Sequence, residues 1–209
     1  RVKIKTPKAV IPLGVDTKHF IPTKDKKKSK KRLRLDPEKT IIGYCGRIGR
    51  EKDLPTLFKA FSLVENKNPA QLLIVGDGLG KIKKKITTKN VTLAGSQNDV
   101  VPYLQAMDIF VMPSLTETSS LSTMEAMSCG LCVVATRVGY IKYYIKTMQN
   151  GLFFQKQNHN SLAKKLEYLI RNGEIRIKLG KNARKTIVQK YDWKKTADMV
   201  KNTFEKLKI

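Results

Sequence analysis

Short apolar segments alternate with amphipathic segments from Thr40 to the end of the chain, and this alternation constrains the fold most. Between the apolar segments, side chains such as Leu54, Leu57 and Phe61 recur at helical spacing. Short apolar strands separated by helices are typical of a parallel sheet that is covered on both faces. We therefore expect an α/β, Rossmann-like domain over 40–209, preceded by an extended segment and a basic loop over 1–39. The predicted strands are 41–45, 71–75, 91–94, 109–112, 133–136 and 151–154.

Ligands of such sheets bind at the carboxyl ends of the strands, so the loops after the strands are the candidate sites. The loop after the first strand contains Gly46, Arg47 and Lys52 just before a predicted helix capped by Asp53. Two cations beside a helix N-terminus suit a diphosphate group. The alternative interpretation is a charged surface turn in a lysine-rich protein.

Two glutamates eight positions apart form the second candidate. Glu117 follows the fourth predicted strand, and Glu125 is predicted in the first turn of the next helix. Carboxylates accept hydrogen bonds from sugar hydroxyls, and free amides at the helix N-terminus can hold a phosphate. The alternative is structural: Ser122 and Glu125 match the S-x-x-E capping box, which would leave Glu117 as a solvated loop residue.

The net charge of +25 is dominated by lysine and is densest in the run 24–34. Few arginines and aromatic residues accompany it, which makes nucleic acid an unlikely partner. A solvated basic loop and an acidic membrane surface both remain compatible with it.

Three cysteines do not make a disulfide framework, which favours a reducing, cytoplasmic location. The C-x-x-C formed by Cys129 and Cys132 follows a helix, where the helix dipole disfavours a thiolate, so we interpret it as a helix-to-strand turn. With His19 and His159 isolated, no metal site is expected. The chain begins at Arg1, without an initiator Met or a secretory signal, from which we expect that an upstream region is missing.

Taken together and in order, these segments resemble the family 4 (group 1) glycosyltransferases of the GT-B fold. Each is weak alone, whereas their order and spacing are specific. The family's E-x7-E element matches Glu117 to Glu125. The matching segments are 10–16 with Phe20, Gly46 and Arg47 with Lys52, 73–78, 91–95, 107–114, 117–130, 133–135, 150–153 and 191–193.

This resemblance implies a retaining hexosyl transfer from a nucleotide-diphosphate sugar, with UDP or GDP as the carrier and neither metal nor other cofactor required. Arg47 and Lys52 would neutralise the departing diphosphate. Glu117 would bind the donor sugar, and Glu125 the ribose. The remaining expected donor contacts are Gly46, the backbone at Ser119, Ser120 and Leu121 for the distal phosphate, and Gly95 with Ser96 beside the base.

The chain departs from the family at three places. Ser119 and Ser120 stand where Phe-Gly is frequent, Cys132 replaces a common proline, and 139–143 replaces Gly-Gly-x-Pro-Glu. The resemblance also implies that 1–39 is an interdomain segment and that the acceptor-binding amino-terminal domain is absent, so we expect donor binding without efficient turnover. The rival hypothesis is a non-catalytic basic module that binds acidic lipid or nucleic acid through 24–34.

Overall fold

A computed structural model describes residues 9–78 and 88–207. Six parallel strands form a single sheet in the order β3-β2-β1-β4-β5-β6, which confirms the predicted α/β fold. All six predicted strands are present, within one or two residues of their expected ends. They are β1 (Thr40–Cys45), β2 (Ala70–Val75), β3 (Val91–Gly95), β4 (Ile109–Met112), β5 (Cys132–Thr136) and β6 (Leu152–Phe154).

Eight helices and one short 3-10 helix (Arg50–Lys52) occur in the described parts of the chain. The helix expected near 81–86 lies outside the described residues. Asn158 rather than Asn160 caps the sixth helix, since its side chain accepts a hydrogen bond from the Ser161 amide at 2.8 Å. The helices are α1 (Lys26–Arg32), α2 (Leu54–Glu65), α3 (Val101–Ala106), α4 (Leu121–Ser128), α5 (Ile141–Tyr144), α6 (His159–Arg171), α7 (Gly173–Lys190) and α8 (Trp193–Leu207).

The strand order sets the helices in two layers. The connection from β1 to β2 runs towards one edge, while those from β3 to β4 and from β4 to β5 run towards the other. Right-handed crossovers therefore put α2 on one face and both α3 and α4 on the opposite face. In agreement, α2 packs against α6, α1 against α3, and α4 against α7. The strand order reverses between β1 and β4, and ligands of such sheets bind at this switch point.

Burial explains why the apolar segments became strands. Every residue of β1, β4 and β5 is buried, as expected for a sheet covered on both faces. On α2, the predicted face of Leu54, Leu57, Phe61 and Val64 is buried against the sheet layer, and Phe58 is partly buried. Hydrophobic burial of these two surfaces is the main term that stabilises the domain.

The basic run 24–34 was expected to be a solvated loop, and this expectation is wrong. Most of it forms α1, whose N-cap Asp25 accepts a hydrogen bond from the Lys28 amide at 2.9 Å. Lys30 is buried, with its ammonium nitrogen 2.8 Å from a carboxylate oxygen of Asp108. Lysine stems can cover apolar surface while the ammonium finds a partner, which charge counting along a sequence does not reveal.

The extended opening segment is joined to the start of α8. Val15 pairs with Asp192 as an isolated parallel bridge, its amide donating to the Tyr191 carbonyl at 2.9 Å. A Cβ on Gly14 would lie 2.8 Å from the Asp192 backbone, so this close approach requires glycine. The two distant segments therefore enter and leave the domain side by side. Among the described helices, none is both long and apolar enough to cross a bilayer.

Candidate functional site

The loops after β1, β2 and β3 lie side by side at the carboxyl edge of the sheet. The Gly46 amide donates to the Val75 carbonyl at 3.0 Å, and the Gly76 amide donates to the Gly95 carbonyl at 2.8 Å. Gly76 has a φ of +140°, and a Cβ there would lie 1.9 Å from the Gly46 carbonyl oxygen. Glycine at position 76 is therefore what allows these loops to approach so closely.

A cleft of about 330 Å³ opens at this edge between the loop after β1 and the start of α4. It brings together seven of the ten predicted site residues from segments about seventy positions apart. They are Gly46, Arg47, Lys52, Glu117, Ser119, Ser120 and Leu121, and the other lining residues are Leu13, Tyr44, Met112, Thr118 and Ser122.

Arg47 lies at the open side of the cleft, with 78% of its side chain exposed. Its guanidinium is 2.6 Å from a carboxylate oxygen of Glu51, four residues ahead. The Tyr44 hydroxyl donates to the Arg47 carbonyl at 2.7 Å and so fixes the backbone. Burial, together with the charge of Glu117, raises the pKa of Tyr44, which keeps this hydroxyl protonated as a donor. The backbone of Arg47 is thus fixed, while its guanidinium lies at the exposed side of the cleft and is paired with Glu51.

Lys52 and Glu117 form an ion pair deep in the cleft. The ammonium nitrogen is 2.6 Å from the carboxylate oxygen, and only 18% and 7% of the two side chains are exposed. The Ser114 hydroxyl donates to the same Glu117 oxygen at 2.7 Å. Glu51 holds the two loops in register because its carbonyl accepts from the Leu115 amide at 2.7 Å. A positive and a negative group are therefore positioned beside each other before any ligand arrives.

The start of α4 supplies unpaired amides to the same cleft. Within the described residues, the amides of Leu121 and Ser122 donate no hydrogen bond, as expected for the first turn of a helix. Ser120 has a φ of 55°, a left-handed conformation that glycine adopts most easily. This is the position where the resembled family often has glycine, so the serine retains the turn despite the change of residue. Its hydroxyl is 2.7 Å from that of Thr123.

The capping-box alternative for Glu125 is wrong. Helix α4 begins at Leu121, which places Ser122 inside the first turn and Glu125 in the second. Glu125 does not line the cleft. It is half-buried, and burial raises the pKa of its carboxyl, partly opposed by His19. Glu125 therefore neither caps α4 nor lines the cleft.

Gly95 and Ser96, the other two predicted residues outside the cleft, end β3 at the same edge. They are two strands from β1, which corresponds to about 10 Å at the usual spacing between strands. Gly95 has a φ of +72° with open space around it, and Ser96 is exposed. An extended ligand that starts at Lys52 would reach this region with its far end.

Sequence reasoning missed the segment that supports the Glu117 loop. A Cβ on Gly139 would lie 1.9 Å from the Glu117 carbonyl oxygen, and the Tyr140 amide donates to the Thr118 carbonyl at 2.7 Å. The buried Tyr144 hydroxyl donates to the Ser119 carbonyl at 2.9 Å. Residues 139–144 thus support the backbone of the Glu117 loop, although their sequence departs from the family pattern. Gly139 was the one local signal of this contact.

All three cysteines are buried and unpaired. Burial raises the pKa of Cys45, Cys129 and Cys132 to about 12. Neutral, enclosed thiols are poor nucleophiles. The segment 129–132 is the predicted turn from α4 into β5, with Gly130 at a φ of +77°. In residues 9–78 and 88–207, no group of three His, Cys, Asp or Glu side chains could hold a metal ion.

Comparison with known proteins adds relatives to this geometry. The chain is 35% identical to sulfoquinovosyl transferase SQD2 of Arabidopsis thaliana over 90% of its own length and 38% of that protein's. It is 29% identical to the UDP-Gal:alpha-D-GlcNAc-diphosphoundecaprenol alpha-1,3-galactosyltransferase of Escherichia coli, over 94% and 53% of the two chains. The chain therefore spans between a third and about half of these relatives.

Among solved structures, the C-terminal domain of a group 1 glycosyl transferase (LpcC) from Francisella tularensis superposes with a TM-score of 0.79 at 25% identity. The superposition covers 85% of this chain and 98% of that domain. The family model for group 1 glycosyl transferases matches residues 25–186, which include every predicted site residue. The chain therefore belongs to the group 1 glycosyl transferases.

Proposed function

We propose that this chain binds the nucleotide-diphosphate sugar of a retaining hexosyl transfer, with the acceptor bound by a second domain. The observation that carries the proposal is the buried pair of Lys52 and Glu117 at the base of the cleft, beside unpaired amides of α4. Few ligands need a cation, a carboxylate and free amides within one small volume. A diphosphate esterified to a sugar uses all three.

The diphosphate is assigned to the positive side of the cleft. Lys52 supplies a fixed charge, and exposed Arg47 supplies a planar fork that suits two phosphate oxygens. The amides of Leu121 and Ser122 add donors at the positive end of the helix dipole. Since negative charge grows on the diphosphate as the glycosidic bond breaks, preorganised cations stabilise that charge more than the ground state.

The sugar and the nucleoside take the remaining groups. Glu117 is placed to accept from hydroxyls of the donor sugar, and Ser114 and Lys52 hold it in position. Glu125 is assigned to the ribose, and Gly95 with Ser96 to the base. The name of the E. coli relative specifies a UDP-Gal donor, which supports UDP as the first carrier to test, with GDP second.

The chemical outcome is proposed as retention of configuration without a metal. The anomeric proton of the product has an NMR coupling constant that distinguishes the two anomers. A product with the configuration opposite to that of the donor would rule out this part of the proposal.

The proposed division between donor and acceptor domains predicts what the chain does alone. The chain superposes over 85% of its length on a separately solved C-terminal domain, which supports testing it in isolation. We propose that it binds donor but transfers sugar slowly until an acceptor domain, which would precede the segment 1–39, is supplied. Appreciable turnover by the isolated chain would contradict this division of labour.

The test is calorimetric titration with UDP, GDP, ADP, UDP-glucose and GDP-mannose in metal-free buffer. One nucleotide is expected to bind selectively, with affinity at least about tenfold weaker in Lys52→Ala, since a charge-assisted contact contributes about 1.5–3 kcal/mol. Lys164 is an exposed lysine of α6, so Lys164→Ala is the matched control and should bind as the parent chain does. Binding that is equal in both variants would contradict the assignment.

Location is proposed as cytoplasmic, with an acidic membrane surface as a candidate partner. The exposed lysines of α1, among them Lys27 and Lys28, supply the positive charge for such contact. Flotation with anionic and neutral vesicles tests it, and equal recovery with both would contradict it. The rival basic module loses support because Lys30 of the run is held in a buried ion pair inside the domain.

A further inference from the structure

A second cavity, of about 400 Å³, lies at the amino-terminal ends of the strands, opposite to the donor cleft. Asp108, which precedes β4, and Cys132, which begins β5, are both in its wall. The donor cleft instead includes Met112 at the end of β4, so about 13 Å of strand separates the two. The cavity is lined by Pro22, Thr23, Lys26, Asp108, Cys129, Gly130, Leu131, Cys132, Arg176, Ile177, Lys181 and Arg184.

Four cations converge on this cavity, and their charge is not balanced within it. Lys26 comes from α1, whereas Arg176, Lys181 and Arg184 come from successive turns of α7. Across the described residues, no carboxylate lies within ion-pair distance of any of the four. The single acid in the wall, Asp108, is already engaged by Lys30 and by the Ile41 amide, both at 2.8 Å.

Helix capping accounts for part of this arrangement. Lys26 donates to the Met107 carbonyl at the end of α3, and Arg184 donates to the Ser128 carbonyl at the end of α4. Arg176 likewise donates to the Leu169 carbonyl at 2.6 Å, near the end of α6. Carbonyls orient a cation without cancelling its charge. Arg184 also donates to the carbonyls of Phe20 and Thr17, whereas the Nη2 of Arg176 donates no hydrogen bond to a described residue.

Capping explains neither Lys181 nor the open volume that the cations surround. Lys181 is exposed and donates no hydrogen bond to any described residue. Burial lowers the pKa of Lys26, and the neighbouring charges of Lys30 and Arg176 lower it further, against the attraction of Asp108. A ligand with negative charge in the cavity would relieve this repulsion.

We propose that this cavity is an anion site that binds a phosphoryl group, carried by a small phosphate ester or by a lipid headgroup. Both ligands present the same tetrahedral anion, for which convergent lysine and arginine donors are suited. The volume leaves room beside the phosphoryl group for a small organic portion. Pro22, Leu131 and exposed Ile177 provide an apolar rim for that portion.

The experiment compares two charge reversals on α7. Lys181→Glu changes the cavity, whereas Lys178→Glu changes an equally exposed lysine of the same helix that is not in its wall. Neither side chain is buried, so both variants should fold, which circular dichroism verifies. Each is titrated with inorganic phosphate at physiological ionic strength, and each is sedimented with phosphatidylcholine vesicles with and without phosphatidic acid.

Binding to at least one probe should weaken at least about tenfold in Lys181→Glu and less than about twofold in Lys178→Glu. Loss in the phosphate titration identifies a soluble ester as the source, and loss confined to the phosphatidic acid vesicles identifies a headgroup. The proposal is overturned if neither probe binds, if both variants lose binding equally, or if Lys181→Glu binds as the parent does. UDP titration of both variants is a separate measurement, so failure of the donor site would not be mistaken for failure of this one.

Discussion

Replacing Asp108 by asparagine tests whether the basic run is part of the folded domain. Lys30 and Asp108 are 2.8 Å apart with only 7% and 11% of their side chains exposed. Lys30 also donates to the Lys39 carbonyl, and Asp108 accepts from the Ile41 amide at the start of β1. Asparagine keeps the shape and an acceptor for that amide, but it leaves the buried ammonium without an opposite charge.

The magnitude follows from this burial. Removing one partner of a buried ion pair costs about 3–5 kcal/mol, because the remaining charge stays desolvated. In a chain of this size, each kcal/mol shifts the unfolding midpoint by about 2–4 °C. Asp108→Asn should therefore lower Tm by about 6–20 °C.

Lys27 provides the matched control on the same helix. Its ammonium is 2.7 Å from a Glu38 carboxylate, but 66% and 70% of these side chains are exposed. Such a pair contributes about 0–1 kcal/mol, so Lys27→Ala should change stability little. Urea unfolding followed by circular dichroism measures both, with an unchanged m-value as evidence of a common unfolding transition. If Asp108→Asn costs no more than Lys27→Ala, the run is a surface feature and our reasoning is wrong.

Three further predictions concern the sites themselves. Burial raises the pKa of Glu125, so its neutral form favours folding and stability falls as pH rises through the raised pKa. The Tm of Glu125→Gln should therefore rise relative to that of the parent as pH rises, and a Tm difference that is independent of pH would refute this. Gly76→Ala should lose more than about 2 kcal/mol in urea unfolding and lose nucleotide binding, because its Cβ meets the Gly46 carbonyl; Gly95→Ala, in open space, should cost about 1–2 kcal/mol. An aromatic disulfide reagent at pH 8 should modify none of the three cysteines in the native chain and all three after unfolding, and native reactivity would contradict their burial.

The strands and helices could be predicted because each of them depends on the pattern of residues that are close together in sequence. Apolar runs such as 41–45 have to be buried on both faces, and the spacing of Leu54, Leu57 and Phe61 has a single helical face to bury. The spacing from Glu117 to Glu125 likewise indicated the family before any contact was known. The sequence was misleading only about the start of α4. Ser122 matches the first position of a capping box, but the N-cap residue in the structure is Ser120.

Sequence by itself thus determined the parallel sheet, its order of strands and helices along the chain, and the loops that line the candidate cleft. Only the tertiary structure decided which distant groups meet. Lys52 reaches Glu117 because β1 and β4 are adjacent in the sheet, although β2 and β3 lie between them in sequence. The same holds for Lys30, whose charge looked solvated until Asp108 was placed beside it. The free energy of a charge depends on its burial and its partners, and both are set by packing between segments far apart in the chain.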